Sequence, residues 1–157
     1  MKRLKGYIFC IIFVFSALTL HAADPKADLS DGQVLYVPAY SHIYFGNKER
    51  PYLLTVTLSI RNIDPSNSLE VSEIGYYESE GKLEKKLIEK PVLVKPFESI
   101  RYVIPEKDKS GGSGANFLIK WKSPKLINPP IVESIMIGTQ GQHGISFTSR
   151  GREIVTP

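Results

Sequence analysis

The alternation of apolar and polar residues is clearest in the stretch Leu53–Asn62, LLTVTLSIRN. Because successive side chains of a β-strand point to opposite faces, this pattern predicts a strand with one face in a core and the other in water. The apolar row consists of Leu54, Val56, Leu58 and Ile60. We expect this strand to be central to the fold.

A second stretch with good alternation is Asn116–Lys122, NFLIKWK, in which Phe117, Ile119 and Trp121 alternate with lysines on the other face. A tryptophan can bury a large apolar area, so Trp121 is the expected core anchor. We predict that this row faces the first strand across the core or lies beside it.

Weaker strand patterns cover much of the remaining chain. Residues 69–78 change phase near Ser72, which predicts a β-bulge. Residues 131–139 are apolar in both phases, as in strands buried on both faces. Residues 82–89 have helical spacing but follow a hairpin-type turn; we assign a strand, with a helix as the alternative. The other predicted strands or extended segments are Gln33–Pro38, Tyr40–Phe45, Pro91–Pro96, Glu98–Pro105 and Ile145–Arg150.

The segments between these strands are rich in glycine, proline, serine and aspartate, which favour turns. We expect turns at Gly46–Pro51 and Asp64–Ser68, a flexible loop at Glu106–Gly114 and a proline-rich connector at Ser123–Pro130. The chain is expected to fray after Arg150. Eight or nine short strands without a long helix indicate an all-β protein, an antiparallel β-sandwich that is immunoglobulin-like in general architecture.

The N-terminus has the composition of a secretory signal peptide. Basic residues from Lys2 to Lys5 precede the apolar stretch Tyr7–Leu20, and small residues follow at Ala22 and Ala23. The apolar stretch is shorter than the about 20 residues that span a bilayer, which disfavours the alternative of an uncleaved anchor. We predict cleavage near Ala22 or Ala23. The predicted organisation is a signal peptide at residues 1–22, a flexible leader at 23–31 and one β-sandwich domain at 32–157.

Cleavage changes how the charge and the cysteine are interpreted. The chain carries 20 basic and 16 acidic residues, and three of the basic residues lie in the signal segment. The mature net charge is therefore about +1, which gives no support for nucleic-acid binding. The single cysteine, Cys10, also lies in the signal segment, so the mature chain has no disulfide or thiolate chemistry. We expect no stable membrane insertion after cleavage.

Four unusual runs occur in order along the mature chain: Gly32–Tyr44, Thr57–Asn62 followed by Asp64-Pro65, Ser110–Phe117 and Met136–Gln142. Together they resemble a bacterial exported family known as domain of unknown function 3124. The resemblance covers Gly32–Gly151. It implies an extracytoplasmic single domain that carries a signal peptide and has no assigned activity, and it supplies no catalytic residues.

The sequence carries no recognisable catalytic or cofactor motif. The glycine run Ser110–Gly114 opens a strand, whereas a phosphate-binding loop leads into a helix. The two mature histidines, His42 and His143, lack the spacing of zinc ligands. The motif Gly-x-Ser-x-Gly of serine hydrolases is absent from the sequence. We therefore predict no catalytic residues, no metal and no cofactor, and we expect the protein not to be an enzyme.

Two features suggest binding instead. Tyrosines cluster near the mature N-terminus, where exposed tyrosines suit recognition, although packing in the core is the alternative. The tail Gly138–Arg152 is polar and punctuated by glycine, as in loops that approach a ligand or form simple turns. The candidate ligand- or partner-binding residues are Tyr40, His42, Tyr44, Gln140, Gln142, His143 and Arg150.

The favoured hypothesis is a non-enzymatic binding or interaction module of the cell envelope, periplasmic or secreted. Its partner would be an envelope protein or a small ligand. One alternative is a hydrolase or metal-dependent enzyme acting on an envelope polymer, with His42, His143 and a carboxylate converging. Another is a structural or assembly protein that adds strands at an exposed sheet edge.

Overall fold

The computed structural model describes residues 28–140 and 144–155, and every helix or strand assigned among them is a β-strand. The strands are β1 (Ser30–Pro38), β2 (His42–Phe45), β3 (Arg50–Leu53), β4 (Thr55–Arg61), β5 (Leu69–Tyr77), β6 (Leu83–Lys86), β7 (Val92–Val94), β8 (Ser99–Ile104), β9 (Asn116–Ile127), β10 (Ile131–Gly138), β11 (Ile145–Arg150) and β12 (Arg152–Glu153). The predicted signal peptide lies outside the described residues, as do residues 23–27 of the predicted leader. The end of that leader, Ser30 and Asp31, already belongs to β1.

The strands form three antiparallel sheets. One sheet has the order β12-β1-β9-β5-β6, with β7 also paired to β5. The second has the order β11-β10-β4-β8, and the third is the pair β2-β3. The inner side chains of the two larger sheets belong to one hydrophobic core, which is the arrangement of a sandwich. The predicted all-β, antiparallel fold is confirmed.

The strand predicted to be central occupies an interior position in the four-stranded sheet. β4 pairs with β10 on one side and with β8 on the other. Its apolar row is completely buried, from Leu54 before the strand to Ile60 near its end. Leu53 ends β3 instead of starting β4, because the Leu54 N–H donates to the Ser41 carbonyl oxygen at 2.9 Å and breaks the run.

The predicted row of β9 closes the core from the other sheet. Phe117 and Ile119 are fully buried, and Trp121 is nearly so. The Phe117 ring packs against Tyr76 of β5, with ring centroids 5.1 Å apart. Burying side chains of this size stabilises a fold by about 1.5–3 kcal/mol each, so this row and the β4 row account for much of the core.

Two uncertain strand predictions in the six-stranded sheet are confirmed. The register between β5 and β9 shifts between Val71 and Glu73, at the predicted bulge. The extra residue brings Val71 and Ile74 into the same core although they lie in opposite phases. Residues 82–89 contain β6 and no helix. A turn precedes this strand, with Gly81 at a φ of 82°.

The C-terminal half of the chain departs from prediction in two places. β9 continues through the predicted connector Ser123–Pro130 as far as Ile127. Proline is tolerated at position 124 because the pairing of β9 with β5 ends at Lys122 and the pairing with β1 is irregular between Lys122 and Ile127, so neither regular ladder includes that position. The predicted fraying after Arg150 is also wrong. β12 pairs with β1, and the Ile154 N–H donates to the Val34 carbonyl oxygen at 2.8 Å.

The prediction for residues 131–139 is half right. They form β10, and the inner row, with Val132 and Met136, is buried. The outer row is not: Ile131 is 39% exposed and Ile137 is 47% exposed. The outer face of the four-stranded sheet therefore exposes apolar side chains at both ends of β10.

The glycine-rich loop that was expected to be flexible is hydrogen-bonded to its neighbours. The Ser41 N–H donates to the Gly112 carbonyl oxygen at 2.9 Å, and the Gly114 N–H donates to the Ser79 Oγ at 2.9 Å. Gly111 packs so closely on Tyr76 that a Cβ there would lie 1.9 Å from the Tyr76 Oη. The glycines therefore serve close packing beside β5.

Candidate functional site

The strands β2 and β3 form a ribbon, residues 42–53, that lies outside both larger sheets. His42 pairs with Leu53 at its base, and Phe45 pairs with Arg50 at its tip. The turn between them begins at Gly46, whose φ of 72° lies in the left-handed region that favours glycine. Pairing alternates the side chains, so the ribbon has one face toward the core and one toward water.

The inner face of the ribbon packs on the four-stranded sheet. Tyr52 is 8% exposed, and Ile43 beside it packs against the core. The Gln140 N–H donates to the Tyr52 Oη at 2.9 Å. Gly138 makes room for this contact, because a Cβ there would lie 2.4 Å from the Tyr52 Cε1.

The base of the ribbon is also joined to the six-stranded sheet. Ser41 is fully buried, and its Oγ lies 2.8 Å from the Tyr76 Oη of β5. Burial raises the pKa of Tyr76, so the phenol stays neutral and keeps this hydrogen bond. Contacts to both sheets therefore fix the position of the ribbon.

The tip and outer face of the ribbon expose aromatic side chains. Tyr44 is 51% exposed and Phe45 is 49% exposed. The Tyr44 ring meets the His42 ring edge to face at 5.1 Å, and the Tyr44 Oη lies 3.2 Å from the His42 Nε2. Phe45 packs edge to face on Tyr52, with centroids 6.0 Å apart. The exposed rings are thus held by buried or half-buried neighbours.

Positive charge lies beside the Phe45 ring. A cavity of about 310 Å³ at the tip is lined by Phe45, Gly46, Asn47, Lys48 and Arg50. Neither Lys48 nor Arg50 forms an ion pair within the described part of the chain. An aromatic wall with two available cations can accept a partner that presents carboxylates.

The structure brings four of the predicted site residues to the ribbon and its base. They are His42 and Tyr44 in the ribbon itself, Gln140 beside Tyr52, and Tyr40, whose ring packs on Phe147 of β11 at 5.7 Å. Gln140 also donates from its Nε2 to the Glu106 Oε1 at 3.2 Å. Gln142 and His143 lie outside the described residues.

Arg150 does not belong to this surface. It pairs with Glu133, whereas Ile145, at the other end of β11, pairs with Gly138 near the ribbon. Five residues of antiparallel strand separate Arg150 from that end, about 17 Å at about 3.4 Å per residue. The composition of the tail predicted that Arg150 and Gln140 share a site, but Arg150 lies at the opposite end of β11 from the ribbon.

The tip residues Phe45, Lys48 and Arg50 are absent from the sequence-based site. A usable signal exists: a turn segment with Gly46-Asn47 lies between the aromatic segment Tyr40–Phe45 and Tyr52, which is typical of a hairpin. The register that sets Phe45 opposite Arg50 is what places the ring and the charge together.

The ribbon shows no built metal site. The His42 Nδ1 is buried and has no hydrogen-bond partner among the described residues. Across residues 28–140 and 144–155, no group of three or more histidines, cysteines, aspartates or glutamates is arranged to hold a metal ion. Convergence of His42 with His143 stays a prediction, since His143 is not described.

No helix that could cross a membrane occurs in the described ranges.

Comparisons with known proteins give a family and one distant structure. Among curated proteins, none matches the chain. Among solved structures, the chain is similar to "Crystal Structure of Thermotoga maritima 1070", at 15% identity and a TM-score of 0.46, covering 76% of this chain and 92% of that one. The family model described as "Protein of unknown function (DUF3124)" matches residues 32–154. This match confirms the resemblance seen in the sequence, and the chain therefore belongs to the DUF3124 family of proteins of unknown function.

Proposed function

We propose that the protein is a non-enzymatic binding module of the cell envelope and that it recognises its partner through the tip of the ribbon. The observation that carries this proposal is the exposure of Tyr44 and Phe45 on a ribbon that lies outside both larger sheets. Such exposure contributes little to folding. Rigid aromatic side chains are, however, favoured anchors at protein interfaces.

The chemistry of the tip indicates the kind of partner. Lys48 and Arg50 flank the Phe45 ring, and Glu49 is the only acidic residue of the turn. A protein surface that combines an apolar pocket with carboxylates would complement this tip in shape and charge. Because Tyr52 and Ser41 fix the base of the ribbon, binding would cost little ordering of the backbone.

We infer that this recognition takes place outside the cytoplasm. It is supported by the basic, apolar and small-residue segments of residues 1–22, which are typical of an export signal. Export would deliver residues 32–157 to the periplasm or the medium as a single domain. N-terminal sequencing of the protein recovered from its host should then begin at Ala23 or Asp24, and an intact Met1 would argue against export.

The binding surface is tested by purification of the full chain, tagged at its C-terminus, from its native host, followed by quantitative mass spectrometry. The double variant Tyr44→Ser/Phe45→Ser should lose at least about tenfold of its main co-purifying protein, as expected when interface anchors are removed. The matched control is Val103→Ser, an exposed apolar residue of β8 with 51% exposure. An unchanged partner profile in the double variant would contradict the proposed surface.

A further inference from the structure

A groove unrelated to the ribbon lies at one end of the six-stranded sheet. The pairing of β5 with β9 ends at Glu70 and Lys122, and β9 continues beyond this pair without β5 beside it. The turn formed by residues 64–68 takes the place of β5 there. Between this turn, β7 and the continuing part of β9 the structure leaves a cavity of about 460 Å³. This volume is within the usual range of small-molecule sites.

The surface of the groove is mainly apolar. Leu93 and Pro124 line it, and Leu93 on β7 is 59% exposed. Serine hydroxyls add polar points, including the Ser123 Oγ, which donates to the Ser68 carbonyl oxygen at 3.3 Å. An apolar surface with a few polar groups is the composition of a site that binds a small molecule with an apolar part.

The wall of the groove is held by a well-bonded turn. Asp64 accepts hydrogen bonds from the N–H groups of Ser66 at 3.0 Å and Asn67 at 2.8 Å. These bonds, that from Ser66 foremost, lower the pKa of Asp64 to about 2, so the carboxylate stays charged and keeps the turn closed. Asn62 fixes the other side of the turn by donating to the Val94 and Lys95 carbonyl oxygens, each at 3.1 Å.

The charge of the groove is positive. The Lys122 Nζ lies 3.0 Å from the Glu70 Oε1, so these two charges compensate each other. Lys125 also lines the groove and is exposed, and it has no ion-pair partner in the ranges that the structure describes. The groove thus offers one uncompensated ammonium group next to an apolar surface.

We infer that this groove binds a small amphipathic carboxylate. Its apolar chain contacts Leu93 and Pro124, and its carboxylate faces the Lys125 ammonium group. The charge of Lys125 sets the preference for an anion, and Leu93 supplies the contact that a purely polar anion lacks. This inference does not depend on the ribbon, because the two surfaces share no residue.

The test is a titration of the isotope-labelled full protein with octanoate, followed by two-dimensional NMR of the backbone amides. Saturable shifts should be confined to the amides that border the groove, residues 66–70, 122, 123 and 125, and the ribbon amides should not move. Octylammonium, which has the same chain and the opposite charge, should bind at least about fivefold more weakly, given the size of exposed charge interactions. Equal binding of the two amphiphiles, or shifts scattered over the surface, would overturn the inference.

Two variants assign the parts of the site. Lys125→Gln should weaken octanoate binding by about fivefold and should not weaken octylammonium binding. Leu93→Ser should weaken both, because it removes the shared apolar contact. Lys109→Gln, at an exposed lysine of the glycine-rich loop, is the matched control and should alter neither affinity. If Lys125→Gln and Lys109→Gln act alike, the assigned site is wrong.

Discussion

Side chains alternate between two faces in both the sandwich core and the ribbon, but the two regions differ in how far their aromatic and aliphatic side chains are buried. The inner row of β4 is fully buried, and the opposite sheet closes over it with Phe117 and Ile119. In the ribbon, Tyr52 is buried by the sandwich, whereas Tyr44 and Phe45 remain about half exposed. Alternation therefore determines which side chains share a face. What covers that face is decided by packing elsewhere in the fold.

Because of this difference in burial, we expect core residues to contribute to stability and the residues at the tip of the ribbon to contribute to recognition. Changes in the core should alter folding, and changes at the tip of the ribbon should alter binding while the fold stays intact. The contacts at the base of the ribbon, through Gly138 and Ser41, lie between these two extremes.

The largest effect is expected in the core. Phe117→Ala should lower the free energy of unfolding by about 3–5 kcal/mol, since it removes a buried ring and leaves a cavity. Phe45→Ala, the same substitution at a half-exposed ring, should change it by less than about 1 kcal/mol. Chemical denaturation of both variants measures the difference. Similar losses would show that the ribbon is part of the folding core.

The next effect is expected where the ribbon packs on β10. Gly138→Ala places a Cβ 2.7 Å from the Leu53 carbonyl oxygen, a backbone atom that cannot move alone. We expect a loss of about 1–3 kcal/mol, typical of overpacking. Gly144→Ala is the matched control, because a Cβ there meets no atom of the described residues within 4 Å. Thermal denaturation of the pair should separate them, and equal stability would contradict the close packing.

A smaller effect is expected at the hydrogen bond between Ser41 and Tyr76. Tyr76→Phe keeps the ring that packs on Phe117 and removes the hydroxyl, so the loss should be about 1 kcal/mol. Tyr44→Phe, which removes an exposed hydroxyl, should leave the denaturation midpoint within error. A midpoint for Tyr76→Phe equal to that of the native protein would mean that this bond does not hold the base of the ribbon.

The last effect is confined to acid. The pKa of Asp64 is about 2 in the folded protein, below its ordinary 3.8. The stabilisation from this carboxylate is therefore present above about pH 4 and is lost as the pH falls towards 2. Asp64→Asn should flatten the stability curve in this window. Denaturant midpoints of the native protein and the variant between pH 2 and 5 measure the difference, and equal slopes would contradict this role of Asp64.

Much of the fold could be predicted because local alternation was unambiguous. The β4 row and the β9 row were predicted from period-two patterns, and the phase change near Ser72 predicted the bulge. Pro124 was wrongly predicted to end the strand structure. A strand tolerates proline wherever no partner strand needs an N–H at that position. That partner is fixed by long-range pairing, which the local pattern does not contain.

The candidate site could be predicted only in part for the same reason. The aromatic cluster pointed to Tyr44, and pairing of β2 with β3 then added Phe45, Lys48 and Arg50. Arg150 was grouped with the site by the composition of the tail, but β11 places it at the far end of the sheet. Likewise, the apolar letters of β10 predicted two covered faces, and the structure covers one.

Recognition of a partner by the ribbon tip is tested most directly by site-specific photocrosslinking in the native host. A benzoylphenylalanine residue is introduced at Tyr44 or, as the control, at Val103. We predict a discrete adduct from position 44 that is abolished by Lys48→Glu/Arg50→Glu, and none from position 103. Absence of an adduct at position 44, or an adduct at position 103 that survives the charge reversal, would contradict the claim.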